Sequence, residues 1–422
     1  MKQEESTNLI SDHHTTKPDI AFVCGELPYP PINGMRIPSY YMITLLLKYL
    51  NLAVIVITDD SDENIAKNKT YFNKLGIKFF YVLKKKKKLT KLKKLLKFLI
   101  SFKPSYIVGA FDKVVAENLN QKLTDLSPKL CVIDAEYLAP YYQAIPNQMI
   151  KIISPNDSMS LAFYNELHYK IHQSKLKHLL VYLNYRKSKR FEAQTYPLFD
   201  CCHFVSEVDA SYIRALNSSI KTLVVSNGVD VDYFSTEKKI THNQASDLLF
   251  VGGLTGGNLI YIERFIKEVW QAFKAQVPSA SLTIVSRIKP DIMQSYEHLG
   301  VNIIGGVDDL RVVYEKYSLI LTPVLKNCGI LNKVLEGMAM SRVVIGYSVG
   351  FYGIPEAKDK LHYLAANNPK ALLDVLVNTA QGAYQLSEIA DNARVLMDKH
   401  YRWQHKIDQL YQYLSTYLNQ TS

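Results

Sequence analysis

The chain has 422 residues, 48% of them hydrophobic and 21% charged, with a formal net charge of +11. That is the composition of a soluble globular protein large enough for two or three domains. No stretch reaches the roughly eighteen uninterrupted apolar residues of a membrane span, and five scattered cysteines without a CxxC pair give neither a disulfide framework nor a structural zinc site, which points to a reducing compartment.

Residues 1–18 are polar and lack the apolar stretch of a signal peptide; they are read as a disordered leader, and the protein is expected in the cytoplasm. From residue 20 onward, short runs rich in Val, Ile, Leu and Phe alternate with longer helical stretches. In the first half the runs are 20–24, 53–58, 78–82, 105–110, 130–135, 151–154, 203–206 and 222–227; in the second they are 247–252, 281–286, 301–306, 319–324, 343–348 and 362–367. Continuous apolar runs mark strands buried on both faces, and strand–helix alternation marks a parallel sheet with right-handed crossovers. The expected fold class is α/β, with two Rossmann-like, doubly wound domains facing each other across a cleft. The first spans 19–235 and the second 236–401, with a boundary in the polar stretch 235–247. The apolar spacing of 402–422 gives a last helix that crosses back to the first domain.

One stretch, KKKKKLTKLKKLLK (Lys84 to Lys97), passes from a basic run into a helix with leucines at helical spacing. An anionic membrane surface is the expected partner, which would hold the protein peripherally on the inner face of the membrane; a solvated basic loop and helix face is the alternative. No aromatic stacking platform or base-reading motif accompanies the run, so nucleic acid is not an expected partner.

In open parallel sheets, ligands sit beyond the carboxyl ends of the strands, so the loops there carry the candidate chemistry. The first reads GELPYPPINGMRIPSYY (25–41), where Asn33-Gly34 permits a tight turn before a helix near Arg36. Backbone amides and the helix dipole there suit a phosphate; an ordinary strand-to-helix loop is the alternative. Asp134, Glu136 and Tyr137 follow one strand, and Asn156 and Asp157 follow the next. Both groups are expected to face the cleft, where a carboxylate can orient an acceptor hydroxyl, although Asp157 is equally placed to cap a helix. The acidic run DDSDEN contains a DxD, Asp60-Ser61-Asp62, but reads better as a solvent loop than as a metal site.

The second domain opens on FVGGLTGGNLIYIERF (250–265), a glycine-rich turn including Gly253 that can bring amides to a diphosphate. It is not a G-x-G-x-x-G fingerprint and lacks the acidic residue that should follow, which argues against a nicotinamide enzyme. The stretch TPVLKNCGILNKVLEGMAMSRVVIG (322–346) gives a strand, a loop and an amphipathic helix. Amides near Gly329 and Ile330 suit a phosphate. Lys333 and Glu336, three apart, share one helix face: the lysine can neutralise a leaving diphosphate and the glutamate can accept both hydroxyls of a ribose. A surface Glu–Lys pair is the alternative.

The stretch GILNKVLEGMAMSRVVIG, the segment HFVSEVDASYIRAL with VVSNGVDVDYF (203–234), the PYPPINGMR loop and DNARVLMDKHYRW (391–403) together resemble, in order and over nearly the whole chain, the retaining glycosyltransferases of family 4, which are of the GT-B type. The resemblance implies a nucleoside-diphosphate sugar bound to the second domain, an acceptor bound to the first, and no catalytic metal or other cofactor. Glu336 matches the ribose-binding glutamate, and Gly329, Ile330 and Lys333 match the donor phosphate loop and helix start. Gly34 matches the glycine near the diphosphate; Val307 sits where the family packs the base, flanked by Ser286 and Arg287. There are departures. The family's first glutamate, which contacts the transferred sugar in many members, falls at Cys328. The double glycine of the first loop is Asn33-Gly34-Met35. A basic pair is absent from GGLTGGN, and Lys333 or Lys326 would replace its charge.

The expected function is therefore a hexosyltransferase-like, metal-independent glycosyltransferase. It would move a sugar with retention onto a glycan or lipid-linked acceptor in surface polysaccharide or glycolipid assembly, with Lys333 and Asp157 as catalytic residues. A nucleotide-sugar epimerase of the same architecture is one rival. A non-catalytic nucleotide-sugar-binding subunit, suggested by Cys328, is the other.

Overall fold

A computed structural model describes residues 17–85, 90–171, 174–238, 245–325 and 328–420. Most of the polar leader, residues 86–89 of the basic run, and Lys326 lie outside the described residues. The apolar runs form two parallel sheets. The first contains β1 (Ile20–Cys24), β2 (Leu52–Thr58), β3 (Phe79–Lys84), β4 (Leu130–Asp134), β5 (Ile150–Asn156), β6 (Cys201–Phe204) and β7 (Thr222–Val224), in the order β3-β2-β1-β4-β5-β6-β7. The second contains β8 (Asp247–Val251), β9 (Ser281–Val285), β10 (Val301–Ile304), β11 (Leu319–Thr322), β12 (Val343–Tyr347) and β13 (Leu364–Ala366), in the order β10-β9-β8-β11-β12-β13. In each sheet the order reverses beside the first strand, which opens a crevice at the carboxyl ends. Every residue of β1, β2, β4 and β12 is buried, because helices cover both faces of each sheet; the side chains are almost all apolar, with Thr58 and Asp134 at the carboxyl ends of β2 and β4 as polar exceptions.

The run 105–110 is not a strand. Pro104 starts a series of turns in which the Ile107 and Val108 amides both donate to the Pro104 carbonyl, and Ile107 and Val108 are buried from these turns. An apolar run supplies side chains to a core whatever its backbone does, so its hydrophobicity alone could not distinguish the two outcomes.

Two chain segments cross between the domains and run side by side. The Val229 amide donates to the Tyr401 carbonyl at 2.7 Å, and Val229 bridges Arg402. A side chain at Gly228 would lie 2.6 Å from the Trp403 Cα, so only glycine permits this approach. The helix Trp403–Gln420 then packs on the first sheet: Trp403, Ile407, Leu410 and Leu414 join Ile20, Phe22, Met42 and Val54 in one core, and Tyr49 donates to Asp408 at 2.6 Å. The last helix of the chain thus closes a face of the first domain. Ile407 is 1% exposed. Ile407→Ala should cost about 2–5 kcal/mol, as expected for truncation in a packed core; denaturant unfolding would read this as a lower midpoint.

Candidate functional site

A cleft of about 420 Å³ separates the two sheets. Its first-domain wall is Pro31, Ile32, Ile37, Tyr40 and Tyr41, from the loop and helix after β1. Its second-domain wall includes Arg287, Val307, Asp308, Asn332 and Glu336, and the crossing segments supply Gly228 to Asp230 and Trp403. Tyr41 stacks on Trp403 with centroids 4.7 Å apart and donates to Asp230 at 3.2 Å, which ties the first-domain wall to both crossing segments.

The helix Asn332–Ala339 carries the densest set of polar groups. Asn332 and Glu336 line the cleft and Lys333 lies between them. Glu336 accepts from the Tyr314 hydroxyl at 3.0 Å, which fixes its carboxylate from behind, and burial raises its pKa. Lys333 points beneath the glycine turn that follows β8. Its Nζ sits 4.0 Å from the centre of the Phe250 ring, and a side chain at Gly252 would meet it at 3.1 Å. That ammonium is sealed from solvent and has no hydrogen-bond partner among the described residues. Burial lowers its pKa to about 8, against the attraction of Glu336, which raises it. The two residues are therefore not a surface ion pair: both are half-buried, the ammonium itself is sealed, and it is held by an aromatic face rather than by an acceptor.

The loop before this helix is held by the opposite domain. Gly329, with φ of +64°, has its amide donated to the Asp209 carboxylate at 2.7 Å, and a side chain there would strike the Asp157 carboxyl group. Asp209 also accepts from the Ser158 amide and the Ser206 hydroxyl, each at 2.7 Å. Burial and the neighbouring Asp157 raise its pKa to about 6, against three hydrogen bonds that lower it. Asn227 donates to Asn332 at 3.1 Å, a second polar link across the same gap.

The expected site residues divide accordingly. Arg287, Val307 and Glu336 come together on the cleft wall. Ser286 serves the loops instead: its hydroxyl accepts from the Leu254 and Ile288 amides. The Gly253 carbonyl accepts from the Thr255 amide at 2.9 Å and from Asn258 at 3.1 Å, closing the turn above Lys333. The Gly329 amide is taken by Asp209, so in this arrangement it is not open to a phosphate; Ile330 is half-buried and Cys328 is 5% exposed. Gly34 stands in open space, and the helix start behind it is capped by Asn33, whose side chain accepts from the Met35 and Arg36 amides. Asp134 does not face the cleft. It is 4% exposed and takes a hydrogen bond from Ser39 on the helix above it, and burial raises its pKa to about 6. Tyr137 packs its hydroxyl against Gly25, and Glu136 beside it is half-buried. Asn156, with φ of +64°, has a buried side-chain oxygen with no partner among the described residues. Asp60 and Asp62 are structural: Asp60 accepts from Asn64, and Asp62 pairs with Lys84 at 2.7 Å. Among the described residues no group of three or more His, Cys, Asp or Glu side chains is placed to hold a metal ion.

Two contributors escaped the sequence reading. Asp209 lies three residues after Ser206, a spacing suited to helix capping that carries no sign of the second domain. Tyr314 is the buried last residue of the short helix Arg311–Tyr314, whose only signal is its apolar neighbours.

Residues 245–381 match the family model described as Glycosyl transferases group 1. A curated relative, an uncharacterized protein in the cps region of Klebsiella pneumoniae, is 24% identical over 178 residues; the match spans 40% of this chain and only 45% of the relative's length. Among solved structures, Anabaena HepE in complex with UDP superposes with a TM-score of 0.63 at 12% identity, over 94% of this chain and all of that one. Sucrose-phosphate synthase from Thermosynechococcus elongatus gives 0.66 at 14% identity, over 96% and 100%. TarM gives 0.67 at 12% identity, over 96% and 99%. The fold is thus GT-B: two Rossmann-like domains across a cleft.

Asp209→Ala should leave the buried Ser158 and Gly329 amides unpaired, at a cost of about 1–3 kcal/mol each. Gly329→Ala adds a clash with Asp157 to left-handed strain. Both variants should melt below the wild type, and wild-type melting of either would remove the interdomain clasp from the account.

Proposed function

We propose that the protein is a glycosyltransferase that moves a hexose from a nucleoside-diphosphate sugar to an acceptor hydroxyl, with retention and without a metal. The single observation that carries this reading is the Lys333 ammonium, buried without an acceptor under a glycine turn and one helical turn from a cleft-lining carboxylate. A buried cation without an acceptor is costly, and a diphosphate beside the turn would relieve that cost. The group 1 match over 245–381 covers this half of the site, and UDP, present in the HepE complex, is the natural first ligand to test.

In this reading Glu336, anchored by Tyr314, accepts the ribose hydroxyls, and the base lies against Val307 and Arg287. When the bond to the sugar breaks, negative charge builds on the diphosphate, and Lys333 stabilises it more in the transition state than before. Asp157, whose carboxyl group abuts Gly329 from the acceptor side, orients the incoming hydroxyl. The acceptor is a glycan or lipid-linked sugar of a surface polysaccharide or glycolipid, a reading supported by the relative from a cps region. The protein acts in the cytoplasm. Cys328, where the resemblance puts a carboxylate, favours one alternative: a subunit that binds nucleotide sugar without turning it over.

A thermal-shift screen of nucleotide sugars should find a donor that raises the melting temperature. With that donor, Lys333→Ala should lower turnover by about a hundredfold, and Glu336→Ala should mainly weaken donor binding. Wild-type kinetics in both would refute the site; binding without turnover would select the subunit. The pH dependence has a definite sign. Burial holds the Lys333 pKa down, a bound diphosphate favours its charged form, and raising the pH through about 8 removes that charge. UDP affinity measured by calorimetry should therefore fall by about tenfold between pH 7 and pH 9, and Lys333→Ala should flatten the profile.

A further inference from the structure

The helix Lys91–Ile100 does not bury its apolar side. Phe98 alone in it is buried; Leu92, Leu96, Leu99 and Ile100 are 66%, 53%, 49% and 84% exposed, and Phe102 just beyond is 79% exposed. The leucine stripe of a surface helix ordinarily faces the core; here it faces outward, while Lys93, Lys94 and Lys97 occupy the other side.

The helix Lys175–Thr195 lies alongside, with contacts in the same order along both helices. Leu180 and Asn184 share a shallow groove with Lys91, Lys94, Leu95 and Phe98. Lys187 donates to the Phe98 carbonyl and sits 4.1 Å above its ring, and Arg190 stands 5.2 Å from the Phe102 ring. The start of this second helix adds Leu176 and Leu179, 67% and 51% exposed. Neither 90–103 nor 174–191 contains a single Asp or Glu, so the whole face is apolar and positive.

We infer that this two-helix face docks the protein on an anionic lipid bilayer. The leucines and Phe102 enter the boundary between headgroups and acyl chains, and the lysines reach the phosphates. The chemistry of the face selects this occupant. A second copy would present the same unrelieved positive charge. A nucleic acid would satisfy the lysines and leave the leucines in water. A bilayer satisfies both. No described helix is long and apolar enough to cross a membrane, so the contact is a surface one.

The second helix carries the consequence inward. Glu192, fully buried near its far end, accepts from the Ser158 hydroxyl and the Ser160 amide, next to Asn156 and Asp157. Leu179 and Glu192 are thirteen residues apart, about 20 Å along a helix. Docking would hold that loop at a fixed height above the headgroups, which suits an acceptor carried on a lipid; this last step rests on the proposed function, whereas the docking does not.

Flotation of the purified protein with vesicles of phosphatidylglycerol and phosphatidylcholine, against phosphatidylcholine alone, tests the docking without any assay of turnover. Wild type should float with the anionic vesicles at low salt and stay behind with the neutral ones. Lys93→Glu/Lys94→Glu/Lys97→Glu should lower the partition by at least about tenfold, and Leu96→Glu/Leu99→Glu/Leu179→Glu should abolish it. Both variants alter exposed positions and should keep the wild-type melting temperature. Failure of the wild type to float, or equal flotation of all three proteins, would overturn the inference. So would a wild-type dimer in light scattering that the leucine variant dissolves, since the face would then belong to a second copy.

Discussion

A buried ammonium is the constraint around which the second domain is arranged. Removing a lysine from water is costly, and the protein offsets only part of that cost: the Phe250 ring supplies its negative face and Glu336 its field. The arrangement dictates sequence on two separated stretches. A side chain at Gly252 would crowd the Lys333 ammonium at 3.1 Å, and one at Gly337, one residue beyond Glu336, would crowd Val344 at 3.1 Å and Ile320 at 3.2 Å, so both places favour glycine. The helix is thus seated tightly against β11 and β12, and its polar face is aimed at the glycine turn and the cleft by packing rather than by chance.

The second constraint is the relation between the domains. Asp209 accepts amides from both: Ser158 in its own domain and Gly329 in the other. Asn227 on Asn332 adds a second polar link across the gap, and Tyr41 stacked on Trp403 ties the first-domain wall to the crossing segment. The carboxylate carrying most of this load is itself strained by burial and by Asp157. A contact of that kind holds an arrangement without making it permanent, which under the proposed function would let the cleft admit and release a nucleotide.

Much of the architecture was legible because parallel strands covered on both faces need uninterrupted apolar runs, and thirteen of these formed strands. The exception, 105–110, shows the limit: a buried turn and a buried strand ask for the same side chains. At the site, the spacing of Lys333 and Glu336 placed them on one helix face, but spacing cannot tell a solvated pair from a buried one; that depends on Phe250 and Tyr314, far away in the chain. Asp134 illustrates the converse. A carboxylate at a strand end usually looks into the cleft, yet here Ser39 on the covering helix offers it a partner and draws it inside. Asp209 was not legible as a site residue, because its bond to Gly329 depends on how two domains meet.

The central claim is that Lys333 holds a diphosphate, and a crystal structure of the protein with UDP tests it most directly. The account predicts a phosphate oxygen within about 2.7–2.9 Å of the Lys333 Nζ, with the ribose on Glu336 and the base between Val307 and Arg287. A nucleotide bound elsewhere, with the ammonium still resting alone on the Phe250 ring, would contradict it.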